Sequence, residues 1–124
     1  MITLATLKTA SAKQVFEHVK THMLKQNAKS LTNKGNCAYR GEGGLMCAAG
    51  CLISDTEYEG IKIDSLTSLD DGGGKNWGWL ADESYVPKAH EHLICDLQAV
   101  HDTVEVASWP QRLDLIARNH DLED

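Results

Sequence analysis

The chain has 124 residues, a net charge of -6 and a composition that is 42% hydrophobic and 24% charged. This length suits one domain over residues 1–124 with a single core, and the composition is that of an ordinary water-soluble globule. No apolar run approaches the roughly 20 residues that span a bilayer, and the first residues lack the basic start and long apolar core of a signal peptide. We therefore expect a cytoplasmic protein with no membrane partner, in a compartment that keeps thiols reduced.

The charges are unevenly distributed along the chain. Residues 1–40 contain seven basic residues and one acidic residue, a net of +6, whereas residues 41–124 contain five basic and seventeen acidic residues, a net of -12. Oppositely charged parts of a chain can neutralise each other within one fold or face different partners. Because the acidic remainder would repel a polyanion within the Debye length, nucleic-acid binding is disfavoured.

The first predicted element is a helix over residues 12–27. Ser11 and Gln14 match a capping box at its start. His18 and His22 share one face of this helix and are predicted to be solvated, since no third metal ligand is evident. The apolar residues expected to place another face in the core are Val15, Phe16, Val19 and Met23.

The segment Gly35 to Ile53 contains three of the four cysteines. Two arms, residues 37–40 and 45–53, flank a glycine-rich connector, which predicts a β-hairpin. A short helix in the second arm is the alternative, because its alanine, methionine and leucine residues tolerate one. Ser54 and Asp55 are then predicted to cap a short helical turn.

Two further helices are predicted in the C-terminal part. Pro87 suits the first turn of a helix that runs to about Glu105, and Ser108 with Gln111 matches a second capping box. The apolar stripe of the first helix consists of Val86, Leu93, Leu97, Val100 and Val104. The residues expected to be buried in the second are Trp109, Leu113, Ile116 and Ala117. Together these elements predict a small α+β domain with three main helices and a short β-hairpin or small antiparallel sheet.

The cysteine-rich segment allows more than one interpretation. Cys37, Cys47 and Cys51 lie among small and apolar neighbours, which favours buried free thiols. A structural zinc is the alternative, with Cys95 or His101 as the fourth ligand, but the spacing C-x9-C-x3-C lacks the paired C-x2-C of a typical zinc site. We therefore expect no cofactor and no stoichiometric metal.

Cysteine-dependent catalysis is a second alternative. It requires a nucleophile, a base and a group that orients the base. Cys47 is the candidate nucleophile and His101 the candidate base, at about 70° from the centre of the apolar stripe and so at the edge of the buried face. Asp102 is predicted to point away from His101, which leaves Glu105, one turn on, as the candidate orienting group.

The glycine-rich run over residues 72–79 is the predicted partner-binding segment, with packing of one or both of its tryptophans against the core as the alternative. Its three consecutive glycines are costly to order, and Trp77 beside them offers a large apolar area at small entropic cost, as a binding anchor does. Trp79 lies nearer to the helical body and is predicted to be a core residue. The charged rim around the anchor is predicted to consist of Asp70, Asp71, Asp82 and Glu83.

The pattern C-A-Y-R-G…G-L-M-C-A-A-G-C-L-I-S-D over residues 37–55, with Leu97–Gln98 and His101–Asp102 further on, resembles a group of small uncharacterised proteins of bacteriophages and bacterial genomes. The pattern of that group is C-x-Y-R-G…G-x-K-C-A-x-G-x-L-I-P-D, from which this chain departs at Met46 and Ser54. The resemblance implies a phage or prophage setting, in which small acidic proteins often bind and disable a host protein. It assigns no activity and no site residue.

Three classes of function follow from these observations. The first, which the sequence favours, is a non-enzymatic phage-type accessory protein that binds and modulates or inhibits a host protein, such as a defence or regulatory factor, in the host cytoplasm. The second is a cysteine-dependent hydrolase or transferase that uses Cys47 and His101. The third is a small metal-stabilised nucleic-acid-binding module, which the net charge disfavours.

Overall fold

The computed structural model describes residues 2–31, 41–61 and 87–122, and the regular elements in this part of the chain are helices. The α-helices are α1 (Leu4–Leu7), α2 (Ala12–Gln26), α3 (Asp55–Ile61), α4 (Glu91–Thr103) and α5 (Trp109–Asn119). Short 3-10 helices lie at Glu42–Gly44, Gly50–Leu52, Lys88–His90 and Val106–Ser108. Among the described helices, none has the length and apolar character needed to cross a membrane.

Helix α2 begins and ends where the sequence predicts. The hydroxyl of Ser11 accepts the backbone N–H of Gln14 at 3.1 Å, and the side-chain oxygen of Gln14 accepts the N–H of Ser11 at 2.8 Å, which confirms the capping box. The helix ends at Asn27, whose φ of 52° is the left-handed conformation common at helix ends. The predicted apolar face is confirmed, since the buried residues of α2 are Val15, Phe16, Val19 and Met23.

Helices α4 and α5 pack against each other and against α2, and this three-helix frame supplies most of the core. α4 is shorter than predicted, because the residues after Pro87 first form a 3-10 turn and the α-helix starts at Glu91. Leu93, Leu97 and Val100 of its predicted stripe are buried. Val86 lies outside the described residues. The four residues predicted to be buried in α5 are all buried.

The predicted capping box at the start of α5 is wrong. Ser108 closes a 3-10 turn with helical backbone angles, and the hydroxyl donates to Oε1 of Glu105 at 3.3 Å. An N-cap side chain reaches the first amides of a helix from an extended backbone, which Ser108 does not have. Pro110 does lie in the first turn, where its missing N–H removes no helical hydrogen bond.

The predicted α+β fold with a β-hairpin is also wrong, because the described residues contain no β-strand. The first arm of the hairpin, residues 37–40, lies outside the described residues. The second arm, residues 45–53, turns back on itself: the N–H of Cys51 donates to the carbonyl of Cys47 at 3.1 Å, and the N–H of Ile53 to that of Gly50 at 3.1 Å. These local bonds make the 3-10 helix that stood as the alternative.

Two glutamine side chains explain why this segment needs no partner strand. Gln26 at the end of α2 accepts the N–H of Met46 at 3.0 Å and donates to the carbonyl of the same residue at 2.9 Å. Gln98 of α4 accepts the N–H of Ala49 at 2.9 Å. Backbone groups that would bond across a hairpin are therefore satisfied by side-chain amides of the helical frame.

Glycine at position 41 allows a close approach of two backbones. A Cβ atom there would lie 2.6 Å from the backbone nitrogen of Leu31 and 2.5 Å from the hydroxyl oxygen of Ser30. Both distances are too short for a real side chain, so any other residue would push the two segments apart. The segment that follows therefore lies directly against the residues after α2.

Candidate functional site

Residues that the sequence analysis singled out in two distant parts of the chain meet in the core. The N–H of Ala49, in the segment from Cys47 to Ile53, donates to Gln98 of α4, whose amide is bonded in turn to Asp102, the partner of His101. We call Ser30, Ala49, Gln98, His101 and Asp102 the α4 network. It links three stretches of chain that are separated by at least fifteen residues.

His101 is the centre of the α4 network. Its side chain is 0% exposed, its Nε2 accepts the backbone N–H of Ser30 at 3.0 Å, and its Nδ1 lies 2.7 Å from Oδ1 of Asp102. An atom that accepts an N–H carries no proton, so the proton of the neutral ring is on Nδ1 and is donated to the carboxylate. The ring also stacks on Trp109, with 5.7 Å between centroids and 29° between planes.

Asp102 and Gln98 extend the α4 network to the cysteine-rich segment. Nε2 of Gln98 donates to Oδ1 of Asp102 at 2.7 Å, while the oxygen of the same amide accepts the backbone N–H of Ala49. Lys29 donates to the backbone carbonyl of Asp102 at 3.3 Å. Since Gln98 is 0% exposed and Asp102 has a side chain only 10% exposed, loss of one partner would leave buried polar groups unsatisfied.

The structure corrects two predictions about the candidate catalytic base. His101 lies in the interior and not at the edge of the buried face. Asp102, predicted to point away, is the group that contacts its ring, whereas Glu105 is exposed and accepts the hydroxyl of Ser108. An angle of 100° per residue misplaces Asp102, because its carboxylate folds back along α4 and reaches Nδ1 of His101, the preceding residue.

The candidate nucleophile is also enclosed. Cys47 is 1% exposed, and its sulfur accepts the N–H of Gly50 at 3.2 Å. Both nitrogens of His101 are occupied by partners other than a thiol. A base must have a free lone pair within reach of the proton that it removes, which this arrangement does not offer to Cys47.

The described cysteines, Cys47, Cys51 and Cys95, form no disulfide with one another. The Cys51 thiol is half-buried and donates to the carbonyl of Ala48 at 3.1 Å. Cys37, the remaining candidate metal ligand, lies outside the described residues. In residues 2–31, 41–61 and 87–122, no group of three or more histidine, cysteine or acidic side chains has a metal-binding arrangement.

The histidines of α2 are not simply solvated, as the sequence suggested. Nε2 of His18 donates to the carbonyl of Cys51 at 3.1 Å, and Nε2 of His22 donates to that of Met46 at 2.9 Å. Both rings are half-buried and line a groove of about 450 Å³ with Cys51. They therefore join Gln26 in holding the cysteine-rich segment against α2.

Glu57 of α3 binds backbone N–H groups near the N-terminus. Its carboxylate accepts the N–H groups of Leu4, Ala5 and Ser54 at 2.9–3.0 Å. Burial raises the pKa of the Glu57 carboxyl, but these backbone hydrogen bonds outweigh burial and hold that pKa below its ordinary value. The charged form of Glu57 thus ties α1 to the start of α3.

The predicted partner-binding residues cannot be placed. Trp77 and its predicted rim, formed by Asp70, Asp71, Asp82 and Glu83, lie outside the described residues, as does Trp79. No sequence pattern marks Gln26 or Ser30, and Gln98 belongs to the motif shared with the phage group without a role. Gln98 could have been predicted as a structural residue from its position next to Leu97, on the apolar side of the helix. A buried side-chain amide at such a position needs hydrogen-bond partners.

Comparisons with protein-family models, with curated proteins and with solved structures give no match to this chain.

Proposed function

We propose that this chain is a small non-enzymatic accessory protein of the bacteriophage type that binds a host protein in the cytoplasm and modulates or inhibits it. The observation that carries the proposal is the enclosure of His101. A fully buried imidazole with both nitrogens in hydrogen bonds stabilises the fold and does not take a proton from a substrate or a thiol. The residue best suited to catalysis from the sequence therefore has a structural role.

The surrounding contacts support the same conclusion. Three of these side chains accept backbone N–H groups. The sulfur of Cys47 accepts that of Gly50, the amide oxygen of Gln98 accepts that of Ala49, and Nε2 of His101 accepts that of Ser30. These side chains bind the protein's own backbone and are not available to a substrate, which supports the proposal of a protein that acts through its surface. The resemblance of the sequence pattern to phage and bacterial proteins is what suggests a phage or prophage setting. In such a setting the expected partner is a host protein.

The proposed contact with the host protein is the segment around Trp77. A tryptophan beside consecutive glycines can bury a large area in a pocket of the partner, and the acidic residues Asp70, Asp71, Asp82 and Glu83 would favour a basic partner surface. No metal or other cofactor is required for this mode of binding. A structural zinc at Cys37, Cys47 and Cys51 would change the stability of the protein and not the nature of the interaction.

The experiment is a growth assay in bacterial cells that express the chain, combined with affinity capture of the partner. Cys47→Ser should preserve both the phenotype and the captured protein, because serine nearly conserves the volume but is a far poorer nucleophile than cysteine. Trp77→Ala should weaken capture of the partner by about 2 kcal/mol or more in binding free energy, and weaken the phenotype with it, while changing stability little.

Melting temperatures separate the outcomes of this experiment. Loss of phenotype in Cys47→Ser with an unchanged melting temperature would favour the cysteine-dependent enzyme over the binding protein. Trp79→Ala is the matched control for Trp77→Ala, and we expect it to lower the melting temperature because Trp79 is predicted to be a core residue. If Trp77→Ala unfolds the protein or leaves capture intact, the assignment of the contact is wrong.

A further inference from the structure

Helices α4 and α5 lie side by side in opposite directions, with a groove between them. At one end, Nε2 of His120 donates to Oδ2 of Asp96 at 2.8 Å, which joins the residue after α5 to the first half of α4. At the other end, Nε1 of Trp109 donates to the carbonyl of Val104 at 3.0 Å. The groove has a volume of about 330 Å³, and its apolar floor includes Val100, Val104 and Ile116. A shallow apolar recess therefore runs along two helices of the frame.

The groove carries charges of opposite sign at its two ends. Asp96 lies at the end beside His120, and Arg112 lies in the first turn of α5, at the end where α4 finishes. The step from Asp96 to Thr103 along α4 joins the two ends and spans about 10 Å. The Asp96 side chain is 58% exposed, Arg112 is exposed, and no described carboxylate forms an ion pair with Arg112. Both charges are therefore accessible to another molecule.

Leu115 lies between the two charges. It follows Arg112 by about one helical turn, lines the groove and is 42% exposed, whereas the other large apolar side chains of α5 are buried. A single exposed leucine is ordinary on a protein surface. Leu115, however, stands beside an apolar recess and between an acidic and a basic residue, which is the composition of an interface core with a polar rim.

We propose that two copies of the chain associate through this groove, about a two-fold axis that crosses it near Leu115 in the plane of the contact. A two-fold interface pairs one surface patch with itself in reversed orientation. The reversal brings Arg112 of each copy to the end of the groove where Asp96 of the second copy lies. The two Leu115 side chains then lie close to the axis and cover the apolar floor.

The order of charges along the groove is the argument for a second copy as the occupant. A patch with the same charge at both ends would repel its own copy, whereas opposite charges at the two ends attract it twice. The spacing between the charges also matches, because both copies have the same groove. The inference concerns self-association and stands apart from the proposed host contact through Trp77.

The contact is small, since it involves two helices of each copy. We therefore expect a weak dimer that dissociates on dilution and is mostly monomeric at low micromolar concentration. Sedimentation equilibrium of the full chain, from about 5 µM to about 500 µM, measures the dissociation constant. A chain that stays monomeric over this range would overturn the proposal and leave the groove to a different protein.

Charge reversal tests the pairing of the two ends. Arg112→Glu and Asp96→Arg should each weaken the dimer about tenfold or more, because each substitution creates two like-charge contacts across a two-fold interface. An equimolar mixture of the two variants should dimerise again, to within about threefold of the wild type, since both contacts of the mixed dimer then join opposite charges. If the mixture is as weak as the single variants, Arg112 does not lie opposite Asp96 and the proposal is wrong.

The apolar contact has its own matched pair of variants. Leu115→Asp should weaken the dimer about tenfold or more, because it places two carboxylates near the axis. Leu24→Asp is the control, since Leu24 on α2 is 37% exposed and the substitution makes the same change in charge. We expect Leu24→Asp to change the dissociation constant by less than about twofold. Equal effects of the two substitutions would place the contact elsewhere and overturn the assignment of the groove.

Discussion

The three-helix frame of α2, α4 and α5 and the described part of the cysteine-rich segment, from Gly41 to Ile53, both contribute buried residues to the core, but they reach their structures in different ways. In the frame, each helix follows from its own apolar periodicity, and the backbone hydrogen bonds are made within the helix. In the segment, Met46 and Ala49 give their N–H groups to glutamine side chains of the frame. Conformation in the segment therefore depends on residues far away in sequence.

This comparison separates two kinds of stabilising residue. The frame depends on packed volume, so the loss of a large buried side chain should be the most damaging change. The segment depends on a few side-chain to backbone hydrogen bonds, so the loss of one should cost less and act locally.

Trp109→Ala should destabilise the protein most, by about 3–5 kcal/mol. Trp109 is 0% exposed, its ring stacks on His101, and its Nε1–H donates to the carbonyl of Val104 at 3.0 Å. Urea unfolding followed by circular dichroism measures the loss. Leu115→Ala on the same helix, at a 42% exposed position, should stay within about 0.5 kcal/mol of the wild type. A small effect of Trp109→Ala would mean that the frame does not depend on this packing.

Gln98→Leu should cost about 2 kcal/mol, because it leaves the buried N–H of Ala49 without an acceptor and removes a donor from Asp102. The local readout is hydrogen exchange at the Ala49 amide, which should lose protection before the amides of α5 do. Gln111→Leu is the matched control, since Gln111 is exposed on α5. Unchanged protection of Ala49 would show that the segment holds its conformation without the α4 network.

Ser11→Ala should cost about 1 kcal/mol, the usual effect of removing an N-cap. The matching substitution Ser108→Ala should stay within about 0.5 kcal/mol, because the Ser108 hydroxyl caps no helix and bonds to the exposed Glu105. Thermal unfolding of the two variants makes the comparison. Equal losses would contradict the difference between the two helix starts.

Glu57→Gln should cost about 1 kcal/mol at neutral pH, since the three backbone N–H groups then face a neutral amide and the site is partly exposed. The pKa of Glu57 is lowered in the folded state, so its contribution is present above the ordinary glutamate pKa of about 4.3 and is lost as pH falls through the lower folded value. The stability of the wild type should therefore fall more steeply than that of the variant from about pH 5 to pH 3.

A pH series of urea unfolding curves tests this. Glu17→Gln, which removes one exposed carboxylate from α2, is the control for the change in net charge, and its stability should fall in parallel with the wild type. If the curves of Glu57→Gln and the wild type also run in parallel, the Glu57 carboxylate does not stabilise the fold in its charged form.

The candidate site was predicted less well than the helices. The prediction that Cys47 is buried is confirmed, whereas His101, predicted at the edge of the buried face, lies in the interior. Helical geometry nevertheless placed Asp102 away from His101, whereas the carboxylate lies 2.7 Å from its ring. A side chain with two rotatable bonds can reach positions that an angle per residue does not describe.

The residue pattern alone predicts the elements whose hydrogen bonds are local, namely α2 with its Ser11 cap and the buried faces of α4 and α5. Local bonds and a regular apolar spacing leave a pattern that can be read along the chain. Only the tertiary structure decided the cysteine-rich segment and the state of His101. Their partners, Gln26, Ser30 and Gln98, lie on other elements, and no local pattern records which distant side chain will satisfy a given backbone N–H.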